Sequence, residues 1–183
     1  MHIGTALYLF DLHSNSLSMI QYRTATLRDQ PGILDIYNEA VSNTTATFDT
    51  EPRSLESQHD WFHKHKKNHP VLVADENNQV IGWASLSPWS DRCAYDTTVE
   101  ISVYVHHEHR GKGIGKVLLE KIIEAGSMHN THTVLSRISS DNAVSIHLHE
   151  KAGFKTIGVM KEVGFKFNRF LDVTMLQYMY PHA

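Results

Sequence analysis

The chain has 183 residues, a length that suits one domain with a sizeable hydrophobic core. Hydrophobic residues make up 41% of it and charged residues 20%, which is typical of a soluble globular protein. The net charge of −3 and the lack of a membrane-length apolar run argue against nucleic acid or a membrane as a partner. A single cysteine, Cys93, excludes an internal disulfide and predicts a reducing compartment, the cytoplasm.

The first 18 residues are interpreted as an extension of unknown role ahead of the domain. Residues 7–10 are apolar, but they lack the basic flank and the long apolar core of a signal peptide. Met19 begins a segment typical of a domain start. The sequence therefore predicts an extension over residues 1–18 and one domain over residues 19–183.

The chain order of the predicted elements indicates the fold class. A strand over residues 20–25 precedes a helix that Asp29 caps, and Ser54 caps a second helix that ends before Pro70. The remaining strands and helices are predicted at residues 71–74, 80–86, 99–105, 114–125 (helix), 133–138, 142–153 (helix), 154–163 and 171–179. This order predicts an α/β fold with a mixed central sheet flanked by helices.

A strand, a glycine-rich turn and a helix follow one another between residues 99 and 125. Residues 99–105 are mostly β-branched or aromatic, and residues 110–116 read Arg-Gly-Lys-Gly-Ile-Gly-Lys. Such a turn at a helix start presents backbone N–H groups to an anion, and the helix dipole adds partial positive charge. The glycine spacing fits neither a Walker loop nor a dinucleotide-binding fingerprint.

The Arg-Gly-x-Gly-Ile-Gly pattern resembles the pyrophosphate loop of the GCN5-related N-acetyltransferases (GNAT). Further segments resemble the phosphinothricin and methionine sulfoximine acetyltransferases within that superfamily, so that the resemblance covers residues 19 to about 180. These segments are residues 43–52, residues 88–95, residues 98–105, residues 142–154 and residues 163–172.

The resemblance implies the GNAT fold, acetyl-coenzyme A as co-substrate and no metal. It implies acetylation of a small amino acid analogue, such as phosphinothricin or methionine sulfoximine, which is a reaction that confers antibiotic or herbicide resistance. Two alternatives stay open: acetylation of another amine, such as a polyamine or a protein N-terminus, and a non-catalytic acetyl-coenzyme A-binding module. The joint presence of Glu100, Arg92 and Tyr95 argues against the last alternative, because a binding module needs none of them.

The co-substrate is expected along the strand and the turn. The backbone of Val103 and Val105 can pair with the pantetheine arm, and the Val103 N–H is expected to face the thioester carbonyl. Asn142 and Ser145 are expected contacts at a helix start, although Asn142 also reads as a simple N-cap. The predicted cofactor-binding residues are Val103, Tyr104, Val105, Arg110, Gly111, Lys112, Gly113, Ile114, Gly115, Lys116, Asn142 and Ser145.

Two residues are predicted to be catalytic. An α-ammonium group must lose a proton before it attacks, and Glu100 is the expected general base, with a pKa raised by burial. The alternative is a structural ion pair between Glu100 and Arg92. By resemblance to the subfamily, His149 either protonates the leaving thiolate or shapes the pocket.

The expected substrate site combines a loop, a strand position and an aromatic wall. Arg92 and Tyr95 are expected to bind a carboxylate or phosphinate, because an arginine fork meets such groups with two hydrogen bonds. A solvated loop arginine is the alternative for Arg92. The predicted substrate-binding residues are Phe48, Trp89, Ser90, Asp91, Arg92, Tyr95 and Ser102.

Histidines and a C-terminal hairpin complete the predictions. Neither His106, His107 and His109 nor His63, His65 and His69 have the spacing of a metal site. Residues 163–170 alternate phenylalanine with Lys166 and Arg169, and an exposed aromatic hairpin usually marks an interface. The resemblance implies a homodimer in which this hairpin reaches the neighbouring active site. The alternative is a hairpin folded on its own sheet.

Overall fold

The computed structural model describes residues 19–65 and 68–181. The predicted extension, residues 1–18, lies outside the described residues. The helices and strands are β1 (Gln21–Thr24), α1 (Gln30–Asn43), α2 (Leu55–Lys64), β2 (Val71–Glu76), β3 (Gln79–Pro88), β4 (Thr98–Val105), α3 (Ile114–Ser127), β5 (Thr133–Ser139), α4 (Ala143–Lys151), β6 (Lys155–Lys166) and β7 (Arg169–Met179). Their order is the predicted one.

The strands form one seven-stranded sheet in the order β1-β2-β3-β4-β5-β7-β6. Strands β4 and β5 are parallel to each other, and the other neighbours are antiparallel. The β4–β5 pairing runs from Thr98↔Thr133 to Glu100↔Leu135 and ends there, although both strands continue. The two strands therefore diverge beyond Glu100 and leave a gap in the middle of the sheet. The predicted mixed α/β fold in a single domain is confirmed.

Each face of the sheet carries helices because each helix has one apolar stripe. On one face, Ile114, Leu118 and Ile122 of α3 recur at helical spacing and are almost fully buried against the sheet. On the other face, α1 packs Ile33 and Ile36 against residues of β2 and β3. Side chains alternate along β4, so that it presents chemically different residues to the two faces.

The main boundary differences from the sequence prediction lie at helix α2 and in the C-terminal hairpin. Helix α2 ends at Lys64, because His65 adopts an extended conformation, well before Pro70. The C-terminal hairpin is longer than expected, since β6 continues to Lys166 and β7 begins at Arg169. The two turn residues between them both have positive φ, as in the tight turns that favour strand twist, yet neither is glycine.

Candidate active site

A cleft of about 590 Å³ opens where β4 and β5 diverge. Its walls come from α1, the loop after α1, β4, β5, the start of α4 and the C-terminal hairpin. The predicted site residues that line it are Phe48, Glu100, Ser102, Val103, Tyr104, Asn142, Ser145 and His149. The diverging strands thus bring together predicted residues from distant parts of the chain.

Glu100 forms a two-point ion pair in this cleft. The Nε and Nη2 atoms of Arg137, on β5, donate to the two Glu100 carboxylate oxygens at 2.6 Å each. The bond to Glu100 raises the pKa of Arg137 above its ordinary value. The ion-pair partner of Glu100 is therefore Arg137 and not Arg92, and Glu100 is partly rather than fully buried. Arg137 did not appear in the sequence-based site.

Most of the predicted substrate loop lies outside the cleft. Ser90, Asp91, Arg92 and Tyr95 do not line it, and all of them except the partly buried Ser90 are exposed. The Ser90 hydroxyl accepts a hydrogen bond from the Arg92 backbone N–H, which folds the loop on itself. Trp89 lies at the cleft's edge, where its ring centroid is 5.5 Å from the guanidinium carbon of Arg137.

The glycine-rich turn has the backbone geometry of an anion site. Gly111 and Gly113 have φ of 75° and 81°, a region that favours glycine. The Val117 N–H donates to Gly113, so that the helix leaves the N–H groups of Ile114, Gly115 and Lys116 without carbonyl partners of its own. These N–H groups lie at the start of α3, where a pyrophosphate would fit.

The side chains around this turn have other partners. Arg110 donates to the Val105 carbonyl oxygen at 3.0 Å and pairs with Glu39 of α1 at 2.7 Å, which anchors the turn to the fold. Lys116 lies 3.7 Å from Glu120, and Lys112 is exposed. The Ile114 side chain is buried in the core, so only its backbone can contact a ligand.

The start of α4 forms a second wall of the cleft. The Asn142 side chain accepts a hydrogen bond from the Ser145 N–H at 3.1 Å, which is the N-cap that the sequence left as an alternative. His149 is buried, and its Nδ1 lies 2.8 Å from the Ser145 carbonyl oxygen. A carbonyl only accepts, so Nδ1 carries the proton and Nε2 keeps its lone pair. Burial lowers the pKa of His149, although the bond to Ser145 opposes this shift.

A cap of loop and hairpin covers one side of the cleft. Phe48 packs directly on Gly164 of β6, where an added Cβ would lie 2.3 Å from the ring. The Lys166 ammonium is buried and donates to the Thr47 carbonyl oxygen at 2.8 Å. Burial lowers the pKa of Lys166, while Asp49 acts in the opposite direction. The Lys166 ammonium is therefore bound within its own chain.

Asp141 ties three segments of this cap together. It accepts hydrogen bonds from Thr45 in the loop, from Ser139 at the end of β5 and from Arg169 of the hairpin. Burial tends to raise the pKa of Asp141, but the bonds from Ser139, Arg169 and Thr45 lower it overall. Arg169, like Lys166, is thus bound within its own chain.

An aromatic wall, of which the sequence analysis named only Tyr104, lines the opposite side. Tyr104 stacks on Trp83 with ring centroids 4.8 Å apart and meets Tyr37 edge-on at 5.5 Å. The Tyr37 hydroxyl donates to Asp49, and the Arg53 guanidinium lies 4.2 Å from the Tyr37 ring centroid. These residues come from three separate elements and a loop, so no local pattern connects them.

The histidine-rich segments have ordinary structural partners. His65 bonds the Trp61 carbonyl oxygen through Nδ1 and Ser87 through Nε2, and burial lowers its pKa. Within the part of the chain that the structure describes, one group, His106, His107 and Glu108, places three ligand atoms within 4.8 Å of one another. The absence of a functional metal stays a prediction.

None of the helices in residues 19–65 and 68–181 combines the length and apolar character that a membrane crossing needs.

Comparisons with known proteins identify the family. The family model for the acetyltransferase (GNAT) family matches residues 33–154. The L-methionine sulfoximine/L-methionine sulfone acetyltransferase of Pseudomonas aeruginosa is 43% identical over 157 residues, which cover 85% of this chain and 91% of the relative.

Two solved structures share the fold closely. A GNAT superfamily phosphinothricin acetyltransferase from Sinorhizobium meliloti, in complex with acetyl-coenzyme A, matches with a TM-score of 0.84 at 35% identity, over 87% of this chain and 88% of that one. A ribosomal-protein-alanine N-acetyltransferase from Brucella melitensis matches with a TM-score of 0.84 at 39% identity, over 87% and 99%.

The divided sheet, the glycine-rich turn at the start of α3 and the carboxylate in the gap fit an acyltransferase of the coenzyme A-dependent class. The chain belongs to the acetyltransferase (GNAT) family, and the sequence-based prediction of that family is confirmed. It is an N-acetyltransferase that uses acetyl-coenzyme A.

Proposed function

We propose that this enzyme acetylates the α-amino group of a small amino acid analogue of the methionine sulfoximine or phosphinothricin type. Relatives with those activities in their names are 43% and 35% identical to this chain. The observation that carries the proposal is a carboxylate, Glu100, held in a cleft at the point where β4 and β5 part. The enzyme's single cysteine, Cys93, is exposed and free, which fits the expected cytoplasmic location.

The chain's backbone supports the placement of the co-substrate. Acetyl-coenzyme A supplies an activated acetyl group and a thiol leaving group when it binds. The β4 edge beyond Glu100 lacks a β5 partner and can pair with an extended amide-containing arm. The free N–H groups at the start of α3 and the two glycines at positive φ suit the pyrophosphate.

Glu100 is assigned the role of general base. The substrate's ammonium group has to pass a proton to a base before its nitrogen can form the new bond to the acetyl carbon. As that bond forms, the carbon–sulfur bond breaks and the thiolate leaves with the electron pair, and the second proton that the nitrogen then releases neutralises the thiolate. Glu100 shares one face of β4 with Ser102, which also lines the cleft and can contact the amine. The Val103 N–H lies on the same strand and can donate a hydrogen bond to the acetyl carbonyl oxygen.

His149 is assigned the role of shaping the pocket rather than that of the acid. Protonating a thiolate requires an imidazolium, but burial lowers the pKa of His149 and so favours the neutral ring at neutral pH. The neutral ring donates through Nδ1 to Ser145 and offers only a lone pair at Nε2. It therefore supplies a hydrogen-bond acceptor at the cleft wall.

We also propose that the enzyme is a symmetric homodimer through the outer face of the β6–β7 hairpin. Phe165, Phe167 and Phe170 are each more than half exposed there, and such patches usually mark interfaces. The Phe167→Asp variant should dissociate the dimer in light scattering and raise the substrate KM. Met128→Asp, at another exposed apolar site, should change neither property. A wild-type monomer with full activity would contradict the proposal.

A thiol-release assay with a panel of amines tests the proposed substrate class. Methionine sulfoximine and phosphinothricin should give the highest kcat/KM, and a polyamine should be poor. A peptide with an N-terminal alanine is a necessary member of the panel, because a relative named for that activity is 39% identical. Preference for the peptide or the polyamine would replace the proposed substrate. Acetyl-coenzyme A binding without thiol release for any amine would indicate a binding module.

A further inference from the structure

The ion pair between Glu100 and Arg137 blocks both groups as the structure stands. Two hydrogen bonds at 2.6 Å occupy both oxygens of the carboxylate. The guanidinium thereby covers the edge of the carboxylate at which a substrate's ammonium group could bond both oxygens. The pair therefore has to open before Glu100 can serve as a base.

We propose that Arg137 is the receptor for the substrate's α-carboxylate, and that the incoming amino acid frees Glu100 by taking its place on the guanidinium. This inference rests on the proposed function. A zwitterionic amino acid carries one carboxylate and one ammonium group on the same carbon. It can thus replace the Glu100–Arg137 pair by two new pairs, its carboxylate with Arg137 and its ammonium with Glu100.

The placement of Arg137 supports an exchange rather than a permanent structural bond. Its side chain is 51% exposed and lines the cleft, so a ligand can approach it directly. The Trp89 ring lies 5.5 Å from its guanidinium carbon, and a cation over an indole face is stabilised by the ring's charge distribution. Trp89 can hold the guanidinium at the cleft while its hydrogen-bond partner changes.

The other cationic side chains near the cleft are tied to their own chain. Arg53 is only 17% exposed, donates to Gln58 and stacks on Tyr37. Lys166 is buried against the Thr47 carbonyl. Among the described residues, two arginines line the cleft, Arg53 and Arg137. Of these two, only Arg137 is both exposed and bound to a partner that a substrate can replace.

The exchange would select amino acids over simple amines. An amine without a carboxylate brings nothing that replaces Glu100 on Arg137, so it has to break the pair without compensation. Methyl esters of amino acids keep the amine and the side chain and lack only the negative charge. Comparing an acid with its ester therefore isolates the contribution of the guanidinium.

The experiment measures binding and turnover of methionine sulfoximine and its methyl ester. Calorimetry gives the affinities in the presence of coenzyme A, and thiol release gives kcat/KM. Wild type should prefer the acid, and Arg137→Ala should lower affinity and kcat/KM for the acid about 10- to 100-fold, as for a lost charged hydrogen bond. It should leave the ester within about threefold of wild type or improve it. Arg137→Lys, which keeps the charge but not the two-point geometry, should be intermediate.

Control measurements distinguish a failure of this inference from a failure of the proposed function and from loss of folding. Arg28→Ala removes an exposed arginine of the segment before α1 and should match wild type with both compounds. Equal losses for acid and ester in Arg137→Ala, or no loss for either, would overturn the inference. An inactive wild-type enzyme would overturn the proposed function instead, because the calorimetric comparison of acid and ester does not require turnover. Circular dichroism on each variant verifies that it is folded.

Discussion

The two sides of the cleft differ in the chemical groups that line them, which are backbone groups on one side and side chains on the other. The side that we propose for the co-substrate consists of backbone: a free strand edge, two glycines at positive φ and the amide groups at a helix start. The substrate side consists of side chains that meet across the sheet, with Glu100 and Arg137 at its centre and Phe48 and Lys166 in its cap. A backbone site accepts many side chains, whereas a side-chain site changes with each substitution.

This difference explains how one fold can serve several amines. The family shares acetyl-coenzyme A, and a backbone site preserves its binding without fixing many residues. Relatives with similar folds are named for different substrates, including an amino acid analogue and a protein alanine. We expect variants on the substrate side to change turnover, and variants on the backbone side to change co-substrate affinity.

The largest effect is expected at Glu100. Glu100→Gln keeps the size and a hydrogen bond to Arg137 but cannot take a proton, so kcat should fall about 10²- to 10⁴-fold. Activity should recover in part as pH rises, because more of the substrate amine is then already neutral. Calorimetry should find acetyl-coenzyme A binding little changed. Wild-type turnover at neutral pH would remove Glu100 from the chemistry.

The matching change on the backbone side is Gly113→Val. A side chain at Gly113 meets no protein atom within 4 Å, but its φ of 81° strains any residue with a Cβ by about 1–2 kcal/mol. Acetyl-coenzyme A affinity should therefore fall about tenfold or more, since a phosphate at the turn adds a clash. Gly158→Ala, in open space on β6, is the control. Unchanged affinity by calorimetry would place the co-substrate elsewhere.

The cap tests how tightly the substrate side is packed. In Gly164→Ala the new Cβ would overlap the Phe48 ring, so the free energy of unfolding should fall by about 1–3 kcal/mol. The substrate KM should rise, and co-substrate affinity should not change. Urea denaturation measures the first effect, with Gly158→Ala as a control on the same strand. A double variant with Phe48→Ala should recover part of the lost stability, and a failure to do so would rule out this contact as the cause.

The smallest effect concerns pH and His149. Burial lowers its pKa below the ordinary value of 6.5, so the unfolded chain binds a proton more readily than the native one as pH falls below 6.5. Stability should therefore decrease as the pH falls below about 6.5, because protons then favour the unfolded chain. His149→Asn should flatten the slope but not abolish it, because burial also lowers the pKa of His65. An unchanged slope in urea denaturation would contradict this account.

Local patterns made the fold and the backbone side predictable. Glycine spacing, strand composition and helix caps act over a few residues, and the turn over residues 110–116 has the expected conformation. Glu100 was also named as a site residue by the sequence analysis, and its side chain lines the cleft.

The partners on the substrate side were not predictable, because they depend on strand register. Glu100 meets Arg137 because β4 and β5 are neighbours with Glu100 opposite Leu135, and no local pattern specifies that pairing. The sequence analysis could therefore offer only the nearby Arg92 as an alternative partner, and Arg92 lies in an exposed loop. Lys166 meets Thr47 across 119 positions, and the turn at Phe167 and Asn168 lacks the usual glycine signal.

The gap in the sheet also affects the cohesion of the whole molecule. Strands β1 to β4 come from the first part of the chain and β5 to β7 from the last, and three registered residue pairs join the two parts of the sheet. A co-substrate that lies between β4 and β5 contacts both parts, so its binding free energy adds to the free energy that holds them together. At 100 times its dissociation constant this addition is about 2.7 kcal/mol. With acetyl-coenzyme A in the proposed position, its supply would contribute to the lifetime of the folded enzyme as well as to its rate.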